Sequence, residues 1–177
     1  MRPSIRLLLL AMTLIACKQE GDEINTIVEV ESNPIESLDT IPKVTGIGGI
    51  FFKSSSPEEM KEWYRDNLGL AVDDYGSPFE FRNANRPDEV NYLNWDLFAD
   101  STSYFDPSER EFMINYRVQN MEGLVRKLKN NGVTILDAIA TYDYGKFVHI
   151  LDVDGNKIEL WEPVDSVLTK IGRQTTK

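Results

Sequence analysis

Between Thr45 and Val164 the chain runs through one local plan twice, strand, helix, then three strands, at a period of roughly 65 residues. No other feature narrows the fold as much, because two like units in tandem bury their apolar faces by packing together. In the first unit Ile47–Phe52 reads as a strand. Ser56-Pro57-Glu58-Glu59 reads as a helix start, with a hydroxyl cap, proline at the first position and acids in the first turn. Met60, Trp63, Tyr64 and Leu68 follow at helical spacing, and Gly69 falls where a C-terminal cap belongs. Strand signals recur at 70–74, 79–82 and 90–95. In the second unit Phe112–Val118 is a strand, and Asn120 caps a helix with Met121, Leu124, Val125 and Leu128 on one face. Asn131-Gly132 ends that helix, and strands follow at 133–138, 147–151 and 157–161. Asp154-Gly155-Asn156 makes the last hairpin turn. Leu93-Asn94-Trp95-Asp96 is echoed by Glu159-Leu160-Trp161-Glu162. The expected class is α+β, with two paired βαβββ modules forming a cleft between curved mixed sheets.

Composition removes several functions. The single Cys excludes a disulfide within the chain, and the single His excludes Cys/His zinc sites and two-His metal motifs. A Ser/His/Asp triad would have to use His149. A net charge of −10 excludes nucleic acid as a partner, since phosphate backbones need a basic face.

The first residues read as an address. Arg2 and Arg6 precede an apolar run, Leu7–Ala16, which at about 10 residues is too short to span a bilayer. The only Cys ends it, and Leu14-Ile15-Ala16-Cys17 resembles the lipobox of bacterial lipoproteins. That resemblance implies cleavage before Cys17 and lipidation of its thiol, with the membrane as a partner through Cys17. It places the protein in the bacterial cell envelope. Lys18 stands where Asp favours inner-membrane retention, so the outer membrane is favoured. The expected boundaries are 1–16 signal peptide, 17–44 flexible acidic tether, 45–164 folded domain and 165–177 polar C-terminal tail.

Three runs carry a second resemblance: Trp63-Tyr64 with Leu68-Gly69-Leu70, Val118-Gln119-Asn120-Met121, and Asp152-Val153-Asp154-Gly155-Asn156-Lys157-Ile158-Glu159-Leu160-Trp161-Glu162-Pro163. The domain resembles the vicinal-oxygen-chelate superfamily of glyoxalase I, bleomycin-resistance proteins and extradiol dioxygenases. That family holds a divalent metal at four strand positions, which fall here on Gly49, Leu93, Met113 and Glu159. Only Glu159 matches a ligand, so no metal or other cofactor is expected, with a divalent ion as the minor alternative.

Strand parity sends Ile158 and Leu160 under a helix and Lys157, Glu159 and Trp161 into the cleft. Glu159 and His149 are the candidate catalytic residues, and Glu159 is expected to be protonated near neutral pH, reached by water, or paired with a cation, Arg117 or Lys157. Phe51, Met113, Asn115 and Arg117 are expected to line a ligand-binding cleft, with Tyr144, Phe147 and Trp161 on its aromatic side. Arg117 is either an anion binder or half of an internal salt bridge. The expected function is small-molecule binding by a membrane-anchored glyoxalase/bleomycin-resistance-like lipoprotein. The alternatives are a lyase, isomerase or dioxygenase using Glu159 as metal ligand or general base, and a scaffold lipoprotein. A homodimer stays open.

Overall fold

The computed structural model describes residues 40–84 and 86–176. Cys17, the leader and most of the tether lie outside them. In chain order come β1 (Lys43–Ser54), α1 (Pro57–Leu68), β2 (Ser77–Asn83), β3 (Arg86–Ala99) and β4 (Phe112–Gln119). Then come α2 (Met121–Asn130), β5 (Thr134–Ile135), β6 (Ala140–Tyr142), β7 (Gly145–Leu151), β8 (Lys157–Pro163) and α3 (Asp165–Ile171). The strands form one open mixed sheet in the order β2-β3-β1-β4-β8-β7-β5, with β6 added on β7. Within each module the first and last strands run parallel, β1 with β3 and β4 with β8. The modules join where β1 and β4 pair antiparallel.

The sheet curls. Neighbouring strands lie about 4.8 Å apart, so in a flat sheet β2 and β4, three steps removed, would be separated by about 14 Å. Yet the Arg117 guanidinium of β4 sits 5.6 Å from the Phe81 ring of β2. The convex side carries the second module's helix. Met121, Leu124 and Val125 of α2 are buried against Val118, Val148, Ile150 and Leu160 of the sheet. These sheet residues alternate with the ones that face the other way, the period-two pattern of a strand buried on both sides. Asn120 caps α2 by accepting from the Gly123 amide at 3.0 Å. Beneath α1, Tyr64 packs on Trp95 at 4.5 Å.

On the concave side a second cluster of Phe51, Phe105 and Met113 is sealed, with Phe98 against it. Gly48 sits at a register shift between Ile47 and Gly49. A Cβ there would lie 2.1 Å from Asn115 Oδ1 and 2.8 Å from the Trp161 ring. The residue is glycine because two strands' side chains cross directly over its backbone.

Several expected boundaries shift. The strand expected at 70–74 is reduced to one bridge, Asp73 with Gly76. Left-handed Gly69 and Gly76 turn the chain away at both ends of this segment. Thr176 fills the vacated edge: it donates its amide to the Pro78 carbonyl, and its hydroxyl accepts from the Ala71 amide. The strand expected at 133–138 shortens to Thr134–Ile135, and β6 is additional. Ser56 makes no side-chain cap, so the proline at the first turn starts α1 without it. The segment 165–177, expected as a polar tail, contains α3, whose Thr169 meets the Tyr92 hydroxyl of β3 at 3.1 Å. Among the described residues no helix is long and apolar enough to cross a membrane.

Candidate functional site

One row of the ladder carries most of the chemistry. Pairing aligns Gly49 of β1 with Asn115 of β4, Asn115 with Glu159 of β8, and Glu159 with His149 of β7. Parity points all four positions to the concave face. Glu159 is 4% exposed and both its oxygens are occupied. Asn115 Nδ2 donates to Oε1 at 2.6 Å. The Tyr104 hydroxyl donates to Oε2, and His149 Nε2 meets the same oxygen at 3.1 Å. Asp137 continues the chain, with Oδ2 2.6 Å from His149 Nδ1 and Oδ1 accepting the His149 amide at 2.8 Å. The result is a four-member line: Asp137, His149, Glu159, Tyr104.

The electrostatics follow from the order of these groups. Burial opposes charge on His149, but its hydrogen bonds to Glu159 and Asp137 outweigh it, and the ring holds its proton above the usual pKa of 6.5. As an imidazolium it donates from both nitrogens, which suits an imidazole between two carboxylates. Burial and the Glu159 charge push the Tyr104 hydroxyl up, keeping it a donor. The Glu159 cation is therefore His149, neither Arg117 nor Lys157. Lys157 instead donates to the Tyr104 carbonyl at 2.6 Å and lies 5.2 Å over its ring.

This arrangement ties stability to pH. The folded imidazole binds its proton more tightly than the unfolded one. Its contribution is full below about pH 6.5 and disappears as pH climbs through the raised folded value. Urea midpoints are expected to fall as pH rises above about 6.5, and Glu159→Gln to flatten much of that slope. A midpoint that rises there would contradict the assignment.

The second cluster lies where β1 and β3 part. Their pairing begins at Gly49 with Asn94, and below that point Arg117 Nη1 takes the Tyr92 carbonyl at 2.9 Å. Arg117 is 2% exposed, 5.6 Å from the Phe81 ring and 5.2 Å from the Trp161 ring. Its Nη2 donates to Asp165 Oδ2 of α3 at 2.5 Å. Of the two readings of Arg117, the structure holds the internal salt bridge.

The expected lining residues share one face but do not form an open cleft. Phe51 and Met113 are sealed by Phe105 of the linker between the modules. Asn115 and Arg117 are buried in the two clusters. Phe147 stacks on Trp161 at 5.8 Å, and Tyr144 stacks on Tyr142 at 5.3 Å on the exposed rim. Tyr104 and Phe105 of the linker cover Glu159 and the Phe51–Met113 cluster, and α3 lies over Arg117 through Asp165. A small apolar pocket remains between β3 and α3, walled by Leu93, Tyr92, Trp161, Leu168 and Ile171, with Asn94 and Arg173 beside it. The sequence reading missed Tyr104, Phe105, Asp137 and Asp165. An aromatic pair inside a polar linker was the one visible signal, for Tyr104-Phe105.

A divalent metal of the family type does not fit these residues. Gly49, Leu93 and Met113 offer no hard donor, and three hydrogen-bond donors use the oxygens of Glu159. Asp137 and Glu159 lie on opposite nitrogens of His149, so the three groups do not converge on one point. Among the described residues no group of three or more His, Cys, Asp or Glu side chains is placed to hold an ion.

Comparison with known proteins bears on the fold. Streptomyces coelicolor methylmalonyl-CoA epimerase in complex with 2-nitronate-propionyl-CoA superposes with a TM-score of 0.52 at 14% identity, over 69% of this chain and 99% of that one. A methylmalonyl-CoA epimerase in complex with methylmalonyl-CoA and NH4+ gives 0.51 at 13% identity, over 76% and 100%. The epimerase from Mycobacterium tuberculosis is 22% identical over 71% and 93%, with a TM-score of 0.49. For the two with TM-scores above 0.5 the likeness, at such identities, is one of fold. No curated protein sequence matches. The family model for the Glyoxalase/Bleomycin resistance protein/Dioxygenase superfamily matches residues 46–160, the stretch that holds both modules from the Gly48 crossing to Glu159. The paired modules, their parallel outer pairings and this match agree: the chain belongs to the glyoxalase/bleomycin resistance/dioxygenase superfamily.

Proposed function

We propose that this protein is a lipid-anchored member of that superfamily in the bacterial envelope, and that it binds a small, partly apolar molecule on its concave face without a metal. The observation that carries this reading is the pocket between β3 and α3. It combines an apolar wall of Leu93, Trp161, Leu168 and Ile171 with the polar Asn94 and Arg173, the mixture of surfaces that small-molecule sites present. Structural neighbours that hold CoA derivatives lend support to a small-molecule ligand. The anchor rests on Leu14-Ile15-Ala16-Cys17.

Binding is tested with the dye 1-anilinonaphthalene-8-sulfonate. Leu93→Trp fills the pocket and is expected to weaken dye binding by about tenfold or more while the fold persists. Equal dye affinity in both proteins would remove the pocket as the site. The anchor is tested by Cys17→Ala, which is expected to release the protein from the membrane fraction and leave the signal uncut. Unchanged size and membrane association would refute lipidation.

One observation favours a second reading, a metal-free proton-transfer enzyme. The line Asp137, His149, Glu159, Tyr104 joins four proton-exchanging groups in contact. Glu159→Gln separates the two readings. Dye binding is unaffected under the first, since Glu159 lies outside the pocket wall. Ligand binding and proton transfer both depend on it under the second.

A further inference from the structure

We propose that α3 occupies the position of a ligand, and that the site beneath it takes a carboxylate carrying an apolar chain. This rests on the concave-face reading above and specifies its ligand.

Three features of the Arg117 cluster support it. First, the guanidinium is prepared for an anion. Nη1 is fixed on the Tyr92 carbonyl, and the Phe81 and Trp161 rings flank the group, so Nη2 is left for a partner from outside the sheet. Planar guanidinium between aromatic faces is a recurring way of holding a carboxylate in a dry place. Second, the present partner is a poor fit. Asp165 reaches Arg117 through Oδ2 alone, while Asp165 Oδ1 is buried without a hydrogen-bond partner. Asn91 is fully buried, its Nδ2 3.4 Å from the same Asp165 oxygen and its Oδ1 unpartnered. A pair built only for stability would use both carboxylate oxygens. Third, the rest of α3 continues the same chemistry. Leu168, three residues beyond Asp165, lies beside it on the helix, Ile171 lies beside Leu168 one step further round, and both border the pocket with Leu93 and Trp161. Outward from Arg117 the order is therefore carboxylate, then apolar groups.

α3 is also lightly held. It has seven residues, none of them buried, and no side-chain N-cap. A helix of that length does not form alone, so it depends on these contacts and yields when a competitor takes them. Beyond it Arg173 is clamped to Asp73 at 2.6 and 2.8 Å, so the segment after α3 stays attached when α3 lifts. The outer groove has its own charges, Arg86 paired with Glu89 at 3.1 Å, and Lys170. Arg173 borders the pocket itself, and Arg117 is the buried cation behind it, in contact with the Trp161 ring of the pocket wall.

The experiment uses the full chain and sodium octanoate. Asp165→Ala empties the position on Arg117. Octanoate is expected to bind Asp165→Ala about tenfold tighter than the parent by calorimetry and to raise its melting temperature. Acetate tests the apolar part and octanol the charge, and each is expected to do much less. The double variant Arg117→Gln/Asp165→Ala is expected to lose the response. If Asp165→Ala does not fold alone, Asp165→Asn carries the same comparison. Octanoate binding that is no tighter in Asp165→Ala or Asp165→Asn than in the double variant overturns the proposal. Should dye binding persist in the parent at the same time, only the carboxylate assignment falls. Should dye binding also be absent, the concave-face reading falls with it.

Discussion

Arg117→Ala is expected to destabilise the domain by about 3–5 kcal/mol, the cost of breaking a buried ion pair from one side. Three losses combine. Asp165 loses its cation, the Tyr92 carbonyl loses its donor, and a space opens between Phe81 and Trp161. The melting temperature should drop by about 10 °C or more. The double variant Arg117→Ala/Asp165→Ala is the sharper measurement. Removing both partners also removes the unpaired charge, so its loss should be clearly smaller than the sum of the single losses. Additive losses in a urea-denaturation cycle would show that the pair carries no coupling.

Phe105→Ala should be of similar size, about 3–5 kcal/mol. Phe105 has no exposed surface and packs with Phe51, Met113 and Phe98. Truncation leaves a cavity lined by strands of both modules, which cannot close without changing the curl of the sheet. The neighbouring Tyr104 should loosen with it, because its ring stacks on Phe98 at 5.3 Å and contacts Phe105. Amide exchange in the linker should therefore quicken together with the fall in the urea midpoint. A loss below about 1 kcal/mol would mean that the linker rests on the concave face without anchoring there.

Arg117 and Phe105 differ greatly in how legible they are in the sequence. Arg117 was singled out in the sequence because it alternates with Ile114 and Tyr116 on a strand, which put it on the concave side, where it lies. Its partner was not legible, since Asp165 belongs to a stretch that reads only as a polar tail. Phe105 shows only as an aromatic in a polar linker, because a linker residue has no period against which to judge its burial. Glu159 shows both cases in one residue. Its face followed from Ile158 and Leu160 as neighbours, and those two do pack under α2. Its partners came from elsewhere, and neither of the cations expected for it approaches its carboxylate.

The boundary between what the sequence determined and what the tertiary structure decided follows the range of the forces involved. Helix caps, turn glycines and strand parity act over one to four residues, so Asn120, Gly69, the 152–156 turn and the inward face of Glu159 were all readable locally. The doubled plan was readable for the same reason, as two copies of local patterns. Contacts between distant segments depend on how far the sheet curls and on which apolar surfaces remain to be covered once it has curled. Tyr104 meets Glu159 across 55 positions of chain, and Arg117 meets Asp165 across 48. No local period encodes either distance. Only the curled sheet turned an expected open cleft into a face closed by the linker and α3, with His149 as the cation of Glu159 and Asp165 as the anion of Arg117.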